Sequence, residues 1–472
     1  MNYVLIWYII IIGFVIKIIK GSDKLRKIRN IIAIIACKLL IIAGKLAGKK
    51  GSSAPGGFAL KISPTVLTDL ASQVKKQIIV VCGTNGKTTT NNLLYTLLKS
   101  KGYSVVGNLV GANMLPGIAC SFIAHSSIWG TLNADYATIE CDEASLRRIV
   151  PYITPDKVVI TNLFRDQLDR FGEVDITISL LNEALDKLTD TELILNGDDP
   201  LSVHFDKDKK CVYFGIDEDC NTKLRETKEG RYCAHCHEEL SYNYTHYSQL
   251  GDYYCTNCGF KRPVLDYAAR GVDLADGLKF VIENGDNKYQ YNLNYRGFYN
   301  IYNILASVAV LGECGEDISD LESVFASYKP QVARMEPFCI NGKTVILNLA
   351  KNPAGFNQAI ATVLSDPRAK DVMIALNDGP GDGIDVSWIW DVDFEKLHDA
   401  NLSSLTASGI RMNDLALRLK YAGFDNVDIK ENNKQTLAAV TGGSGEVSYV
   451  LVNYTAMFAT QTNLKALEAN EQ

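Results

Sequence analysis

The chain is 472 residues long, 47% of them apolar and 22% charged, with a net charge of −6. That length exceeds one ordinary core and calls for two or three domains, while the composition excludes disorder as the default state. The mildly acidic balance also argues against a protein that wraps nucleic acid.

The first fifty residues depart from this average. Lys17, Lys20, Lys24, Arg26, Lys27, Arg29, Lys38, Lys45, Lys49 and Lys50 stand there against Asp23 alone. Tyr3 to Ile16 (YVLIWYIIIIGFVI) is uncharged, and extended to Ile19 past one snorkelling lysine it reaches 17 residues. That makes about 25 Å of helix, the short limit for a membrane span. No basic segment precedes it and no small-residue cleavage site follows, so an anchor fits better than a cleaved leader. The basic cluster after the run places the rest of the chain at the cytoplasmic face of the cell membrane. Ile31 to Leu46 (IIAIIACKLLIIAGKL) is a second apolar helix, expected to be interfacial or packed on the body rather than spanning. The alternative keeps both segments as buried or oligomerising helices. Residues 1–50 thus form a unit of N-terminal apolar helices, and GSSAPGG (Gly51 to Gly57) reads as a hinge to the body.

From Gln77 short apolar runs alternate with helical periodicity: QIIVVC, then Leu93, Leu94, Leu97 and Leu98 on one helical face, then YATIE, KVVITN, ELILN and CVYFGI. Strands alternating with helices predict an α/β fold with a parallel, helix-flanked sheet, here a central domain over residues 51–329. A polar segment rich in Tyr, Cys and His interrupts it over 217–265, and Tyr299 to Leu311 resumes as a helix. TVILNLA, DVMIALND, SSLTASG and SYVLVNYT, with the helix MNDLALRLKYAGF between the last two, predict a smaller Rossmann-like α/β domain over 330–472.

VCGTNGKTTT (Val81 to Thr90) follows a strand and opens a helix, the context a phosphate loop requires. Gly83, Thr84, Asn85, Gly86, Lys87, Thr88 and Thr89 would cradle phosphates with backbone N–H groups and the helix dipole. Lys87 would reach the β/γ oxygens, and the Thr88 hydroxyl is placed to ligate Mg²⁺. The full phosphate-loop expression puts glycine where this chain has Val81, so it fails by one residue.

Twelve cysteines fall into two groups. Eight are scattered, several in apolar strand-like runs such as those of Cys82, Cys120 and Cys141, and read as reduced thiols. The other four form Cys233-x₂-Cys236 and Cys255-x₂-Cys258, eighteen residues apart. That spacing fits a structural Zn²⁺ ribbon whose four thiolates leave no open position for water. His235, His237 and His246 lie nearby, but the shell is already full. The acids Glu238, Glu239 and Asp252 in the same segment argue against nucleic-acid binding.

GTNGKTTT resembles the ATP loop of the Mur ligase family, which includes folylpolyglutamate synthetases. Other stretches agree. TIECDE (Thr138 to Glu143) resembles the segment that supplies a Mg²⁺-binding glutamate, here Glu140, and TNLFRDQLDRFG (Thr161 to Gly172) resembles the family's TN-x₃-DH-x-D signature. GFYNIYNILAS (Gly297 to Ser307) resembles the nucleotide-base segment, placing Asn300 and Asn303 at the ATP, and ARMEPF (Ala333 to Phe338) resembles the linker whose arginine, here Arg334, reaches it. Gln167 stands where the family has a second metal-binding histidine, and LAKNPAG puts Lys351 at the histidine position of DYAHNP. These departures, the four-cysteine insertion and DGIDVSWIWD resemble the MurT-type branch of the family from about Ile31 onward.

The resemblance implies that ATP activates a substrate carboxylate as an acyl phosphate, with Lys87, Glu140 and Arg334 around the reacting phosphate. In that branch the substrate is the α-carboxylate of D-glutamate in the lipid II stem peptide. The amide nitrogen comes from a glutaminase subunit of the GatD type, forming a heterodimer. This chain carries no G-x-C-x-G elbow, so ammonia has to come from outside it. The resemblance further implies that Asp385 completes the partner's Cys–His pair, with Asp382 the nearest competitor; an aspartate orienting a histidine is chemically sound. Two other classes compete: a self-sufficient amino-acid ligase of the Mur or folylpolyglutamate type, and a non-enzymatic, zinc-containing, ATP-gated scaffold at the membrane.

Overall fold

The computed structural model describes residues 23–46, 53–109, 112–165, 174–206, 209–220, 230–275, 277–295, 297–328, 335–379 and 381–469. Two sheets organise these residues. The first has nine strands in the order β11-β10-β9-β6-β5-β4-β1-β3-β2. They are β1 (Val74–Cys82), β2 (Val105–Gly107), β3 (Ala134–Glu140), β4 (Lys157–Ile160), β5 (Glu192–Asn196), β6 (Cys211–Ile216), β9 (Tyr267–Asp273), β10 (Leu278–Asn284) and β11 (Asn287–Leu293). Seven run parallel from β2 across to β9, and β10 and β11 close that edge antiparallel.

Strand periodicity explains the layering. In β1, Ile78, Val80 and Cys82 face one core while Ile79 and Val81 face the other. Every one of these side chains is buried, as expected of a parallel strand covered on both faces. The second core receives Leu93, Leu94, Leu97 and Leu98 of the helix that follows the phosphate loop. It also receives most of an apolar helix, Asn300–Glu313, which is buried from Ile301 to Leu311.

The second sheet has the order β12-β13-β17-β14-β15-β16. The four runs expected from the sequence are β13 (Lys343–Leu349), β14 (Lys370–Ala375), β15 (Leu402–Ser408) and β17 (Val447–Val452), all parallel. The helix Met412–Tyr421 lies between the last two. The edge strands β12 (Glu336–Ile340) and β16 (Asp428–Ile429) were not expected. Both are short or half-exposed, so they lack the apolar run that marks a central strand.

The described part of the Gly/Pro stretch, residues 53–57, is not a hinge. Ala54–Ile62 is a helix, α2, in which Pro55 and Gly56 are buried. Proline is tolerated in a first helical turn because its missing N–H has no partner there in any case. A Cβ at Gly56 would overlap Pro116 O and come within 2.7 Å of Cys120 N, so the glycine permits close contact with a neighbouring helix, Leu115–His125. The preceding helix α1 (Asp23–Leu46) is fastened straight onto this body. Asn30 Nδ2 donates to Asp69 at 2.5 Å, Ser63 Oγ donates to Asn30 Oδ1 at 2.6 Å, and Ala33, Ile34 and Cys37 are buried. No helix among the described residues is long and apolar enough to cross a membrane, and the run from Tyr3 to Ile19 lies outside them.

Candidate functional site

Three adjacent strands, β3, β1 and β4, end side by side, with Val81 opposite Glu140 and Cys82 opposite Ile160. Because the chain crosses from one side of β1 to the other after β3, their carboxyl ends bound the crevice where open α/β sheets take ligands. The phosphate loop leaves β1 there. Gly83 and Gly86 adopt φ of 121° and 85°, values that penalise any side chain, and a Cβ on Gly86 would also overlap Asn303 Oδ1. Lys87, Thr88 and Thr89 form the first turn of α3 (Lys87–Ser100), where N–H groups have no carbonyl four residues earlier within the helix to donate to. The missing glycine at Val81 has a plain cause: Val81 still belongs to β1, is fully buried, and pairs with both neighbouring strands.

The loop is braced from β4. Thr84 N donates to Asn162 O at 2.8 Å, Asn85 N to Asn162 Oδ1 at 2.9 Å, and Thr161 Oγ1 to Asn85 O at 2.8 Å. The TN dipeptide of the signature therefore shapes the cradle. Asn85 also bonds Asn352, at 3.2 Å, which in turn caps the helix Pro353–Ser365 through Gly355 N. The loop thus touches the second sheet's domain directly, next to Lys351.

Glu140 is buried at the end of β3 and takes a hydrogen bond from Asn113 at 3.1 Å on one oxygen, while its other oxygen is buried with no hydrogen-bond partner. An acceptor left in that state is costly, and a cation beside the loop relieves the cost. The donor set thus fits Mg²⁺ held by Glu140 and Thr88. Lys87 is more constrained than expected: it donates to Gly83 O, to Thr84 O at 3.2 Å and to Glu143 at 3.2 Å. Its side chain and that of Glu143 are only 8% and 10% exposed. Burial pushes the Glu143 carboxyl up from its ordinary value, against the pull of the Lys87 ammonium. Glu143 was missed in the sequence because an acid three residues past the strand end looks like any surface charge.

A cleft opens beside the loop, lined by Asn85, Gly86 and Thr89 on one side and by Tyr247, Tyr299, Tyr302 and Asn303 on another, with Asn348 and Gln358 from the second domain. Asn303 sits at the phosphate end against Gly86 and receives Thr90 Oγ1 at 3.4 Å; Asn300 accepts from Asn303 Nδ2 at 3.0 Å and so positions it. Arg334 and Gln167 lie outside the described residues.

Tyr247 reaches the cleft from the four-cysteine insertion. That insertion leaves the sheet after β6 and returns at β9, and its hairpin is β7 (Ser241–Tyr247) with β8 (Leu250–Tyr254). At one end of the hairpin the sulfurs of Cys233, Cys236, Cys255 and Cys258 lie within 4.8 Å of one another, with Cys233–Cys258 at 3.5 Å and Cys236–Cys255 at 3.4 Å. Four sulfurs about 2.3 Å from one zinc stand roughly 3.8 Å apart, so the set fits a closed tetrahedral Zn²⁺ site. At the other end the turn is buried in the ATP-side core: Gln249 Nε2 donates to Leu163 O at 2.7 Å, and Tyr247 packs against Phe164 and Tyr302 at 6.0 and 5.9 Å between ring centroids. His246, fully buried next to Asp198, is a core residue rather than a ligand, and burial pulls its pKa down.

The acid-rich loop lies at the other domain. Asp382 is buried and accepts from Thr455 N at 3.0 Å and from Thr455 Oγ1, so it caps the last helix, Tyr454–Glu468. Asp385 is half-exposed, accepts from Ser387 N at 2.8 Å and leads into the short 3₁₀ helix Ser387–Asp391, where Trp388 is buried against Phe356. The Ser387 hydrogen bonds hold the Asp385 carboxyl below its ordinary value. Asp385 is therefore the acid with an accessible oxygen, and Asp382 is committed to structure.

Of the eight scattered cysteines, Cys37, Cys82, Cys120 and Cys141 are buried as expected, whereas Cys211, Cys220 and Cys314 are half-buried and Cys339 is exposed; none is in a disulfide.

Comparison with known proteins agrees with this geometry. Residues 81–311 match the Mur ligase middle domain and residues 349–457 the MurT ligase C-terminal domain. Among solved structures, a pseudomurein peptide ligase type C from Methanothermus fervidus superposes with a TM-score of 0.66 at 22% identity, covering 84% of this chain and 80% of that one. MurF from Thermotoga maritima, solved with ADP, superposes with a TM-score of 0.62 at 15% identity, covering 89% and 85%. Fold and loop together define the Mur ligase class. The MurT subunit of lipid II isoglutaminyl synthase from Staphylococcus aureus is 37% identical over 90% of this chain and 95% of its own length, and that from Streptococcus pneumoniae is 38% identical over 86% and 91%. The chain belongs to the MurT family.

Proposed function

We propose that this chain is the ATP-using subunit of a glutamine-dependent lipid II isoglutaminyl synthase, an ATP-dependent carbon–nitrogen ligase of peptidoglycan synthesis. The observation that carries the reading is the conjunction of a braced phosphate loop, a buried glutamate with a free oxygen at the neighbouring strand end, and sequence identity to MurT subunits along nearly the whole chain.

The residues divide the work. Backbone N–H groups from Gly83 to Thr88 and the N-terminus of α3 hold the phosphates, and Lys87 neutralises charge as it moves to the acceptor carboxylate. Mg²⁺, when bound at Thr88 and Glu140, supplies Lewis-acid polarisation of the phosphate oxygens. Tyr247, Tyr299 and Tyr302 form the aromatic wall assigned to the base, with Asn303 at the phosphate end. The substrate α-carboxylate attacks the γ-phosphorus, ADP leaves, and ammonia displaces phosphate from the acyl carbon to give the amide. Positioning these groups supplies most of the catalysis. Arg334 belongs to the same set on the resemblance of its linker.

Ammonia is assigned to a GatD-type glutaminase in a heterodimer, because this chain has no nucleophile elbow, and Asp385 is the acid assigned to orient that partner's histidine. Zn²⁺ is assigned to the four cysteines as a folding element. The complex is assigned to the cytoplasmic face of the membrane, a reading supported by a lipid-linked substrate and the basic N-terminus.

The test supplies the purified chain with ATP, Mg²⁺ and lipid II, and offers ammonium or amino acids as nucleophile. Amidation with ammonium alone is expected, extending to glutamine once the glutaminase is added. Ligation of an amino acid instead would replace this reading with a self-sufficient ligase.

A further inference from the structure

Helix α1 has two apolar faces where a surface helix normally has one. Its inner face, Asn30, Ala33, Ile34 and Cys37, is buried against the body. On the opposite face Ile28, Ile32, Ile35, Leu39, Ile42 and Leu46 recur every three or four residues, one unbroken stripe along the helix. All six are exposed, Leu39 at 61% and Leu46 at 85%. No charged residue interrupts the stripe between Ile28 and Leu46; exposed Lys27 and Lys45 lie along one border between the two faces, and exposed Lys24 stands one turn before Ile28 at the stripe's N-terminal end. Such a surface is costly in water and marks a contact with something else.

Charge selects the occupant. The first fifty residues carry ten basic side chains and one acid, +9 in a chain of −6, so the remainder carries −15. An apolar stripe bordered by lysines is the signature of a helix lying in the plane of an anionic bilayer, apolar side chains in the acyl boundary and ammonium groups at the phosphates. An acidic body is repelled by the same surface, which leaves α1 as the docking element and orients the molecule about it. We propose that the outward face of α1 is a membrane-docking surface that lies on an anionic lipid bilayer without crossing it. This placement does not depend on the amidation reading, because it follows from α1 alone.

The test is flotation of the full chain with vesicles of phosphatidylcholine alone or with about one-third phosphatidylglycerol, at low and high salt. Flotation with the anionic vesicles is expected, weakening as salt rises. Ile32→Glu with Leu39→Glu should lower the partition by at least roughly tenfold with an unchanged thermal melt, since both side chains already face solvent. Reversing Lys24, Lys27 and Lys45 to glutamate should lower binding to the anionic vesicles by roughly fivefold or more per residue, with little effect on the neutral ones. A variant lacking residues 1–22 should keep the binding that the α1 substitutions remove. The proposal is overturned if that deletion abolishes flotation while the α1 substitutions leave it intact. It is equally overturned if the full chain stays off vesicles and forms dimers that the double substitution dissolves, because the stripe would then be an interface between copies.

Discussion

Lys87→Met should destabilise the nucleotide-binding domain before any ATP is added. In the structure the ammonium lies 3.2 Å from Glu143, and both side chains are about nine-tenths buried. Removing one partner of a buried pair leaves the other charge uncompensated, at a cost of about 3–5 kcal/mol. For a domain of this size that is roughly a 10 °C fall in the first melting transition. Glu143→Gln in the same chain should restore most of the loss, because the orphaned charge is gone, yet ATP binding should stay absent without the lysine. The penalty should also shrink as pH falls. Glu143 has a raised folded pKa, so protonation removes the buried charge, and the instability grows as pH rises through that pKa. Thermal melts of both variants between pH 5 and 8, with ATP titrations alongside, decide the matter. A Lys87→Met melt equal to that of the parent, or no rescue by Glu143→Gln, would refute the claim that this ion pair holds the empty loop. Glu143→Gln alone should tighten ATP binding, because the carboxylate competes with the phosphates for Lys87.

Asp385→Asn should leave the melt and ATP affinity unchanged, since an amide oxygen can still accept from Ser387 N, while glutamine-dependent amidation in the complex is abolished; normal glutaminase activity there would remove Asp385 from its assigned role. Asp382→Ala should instead cost about 1–2 kcal/mol through loss of the helix cap, read as a lower melt. Chelation of the Zn²⁺ assigned to the four cysteines, or Cys233→Ser, should weaken ATP binding by loosening the hairpin that presents Tyr247, and Tyr247→Ala should weaken it roughly tenfold if base stacking of about 1–3 kcal/mol is lost; calorimetric titration with an unchanged Kd would separate the ribbon from the cleft. Buried Asp199 has its carboxyl pushed up to about 6 from 3.8 by burial. The native state therefore holds that proton more tightly than the unfolded chain, and up to about 3 kcal/mol of stability should be lost as pH rises from 4 to 6. Asp199→Asn should flatten that part of the stability–pH curve.

The sequence by itself determined the local chemistry: strands where apolar runs are short and unbroken, a phosphate loop where two glycines precede Lys-Thr at a helix start, and a four-thiolate set from two Cys-x₂-Cys pairs. Each signal lies within one contiguous segment, where backbone conformation and side-chain spacing are set by near neighbours. What only the tertiary structure decided are the juxtapositions between distant segments. Glu143 reaches Lys87 because β3 and β1 end together. Asn352 reaches Asn85 from another domain, and Tyr247 is carried into the cleft by a hairpin whose other end holds the cysteines. Over its described residues, 53–57, the supposed hinge failed for the same reason. In isolation glycine loosens the backbone and proline interrupts regular structure, but at Gly56 the missing side chain is what lets a second helix come close. Of the two acids of the carboxy-terminal loop, family resemblance favoured Asp385 over Asp382, and only the tertiary structure gives them different surroundings: Asp382 is buried against Thr455, while Asp385 is half-exposed beside Ser387.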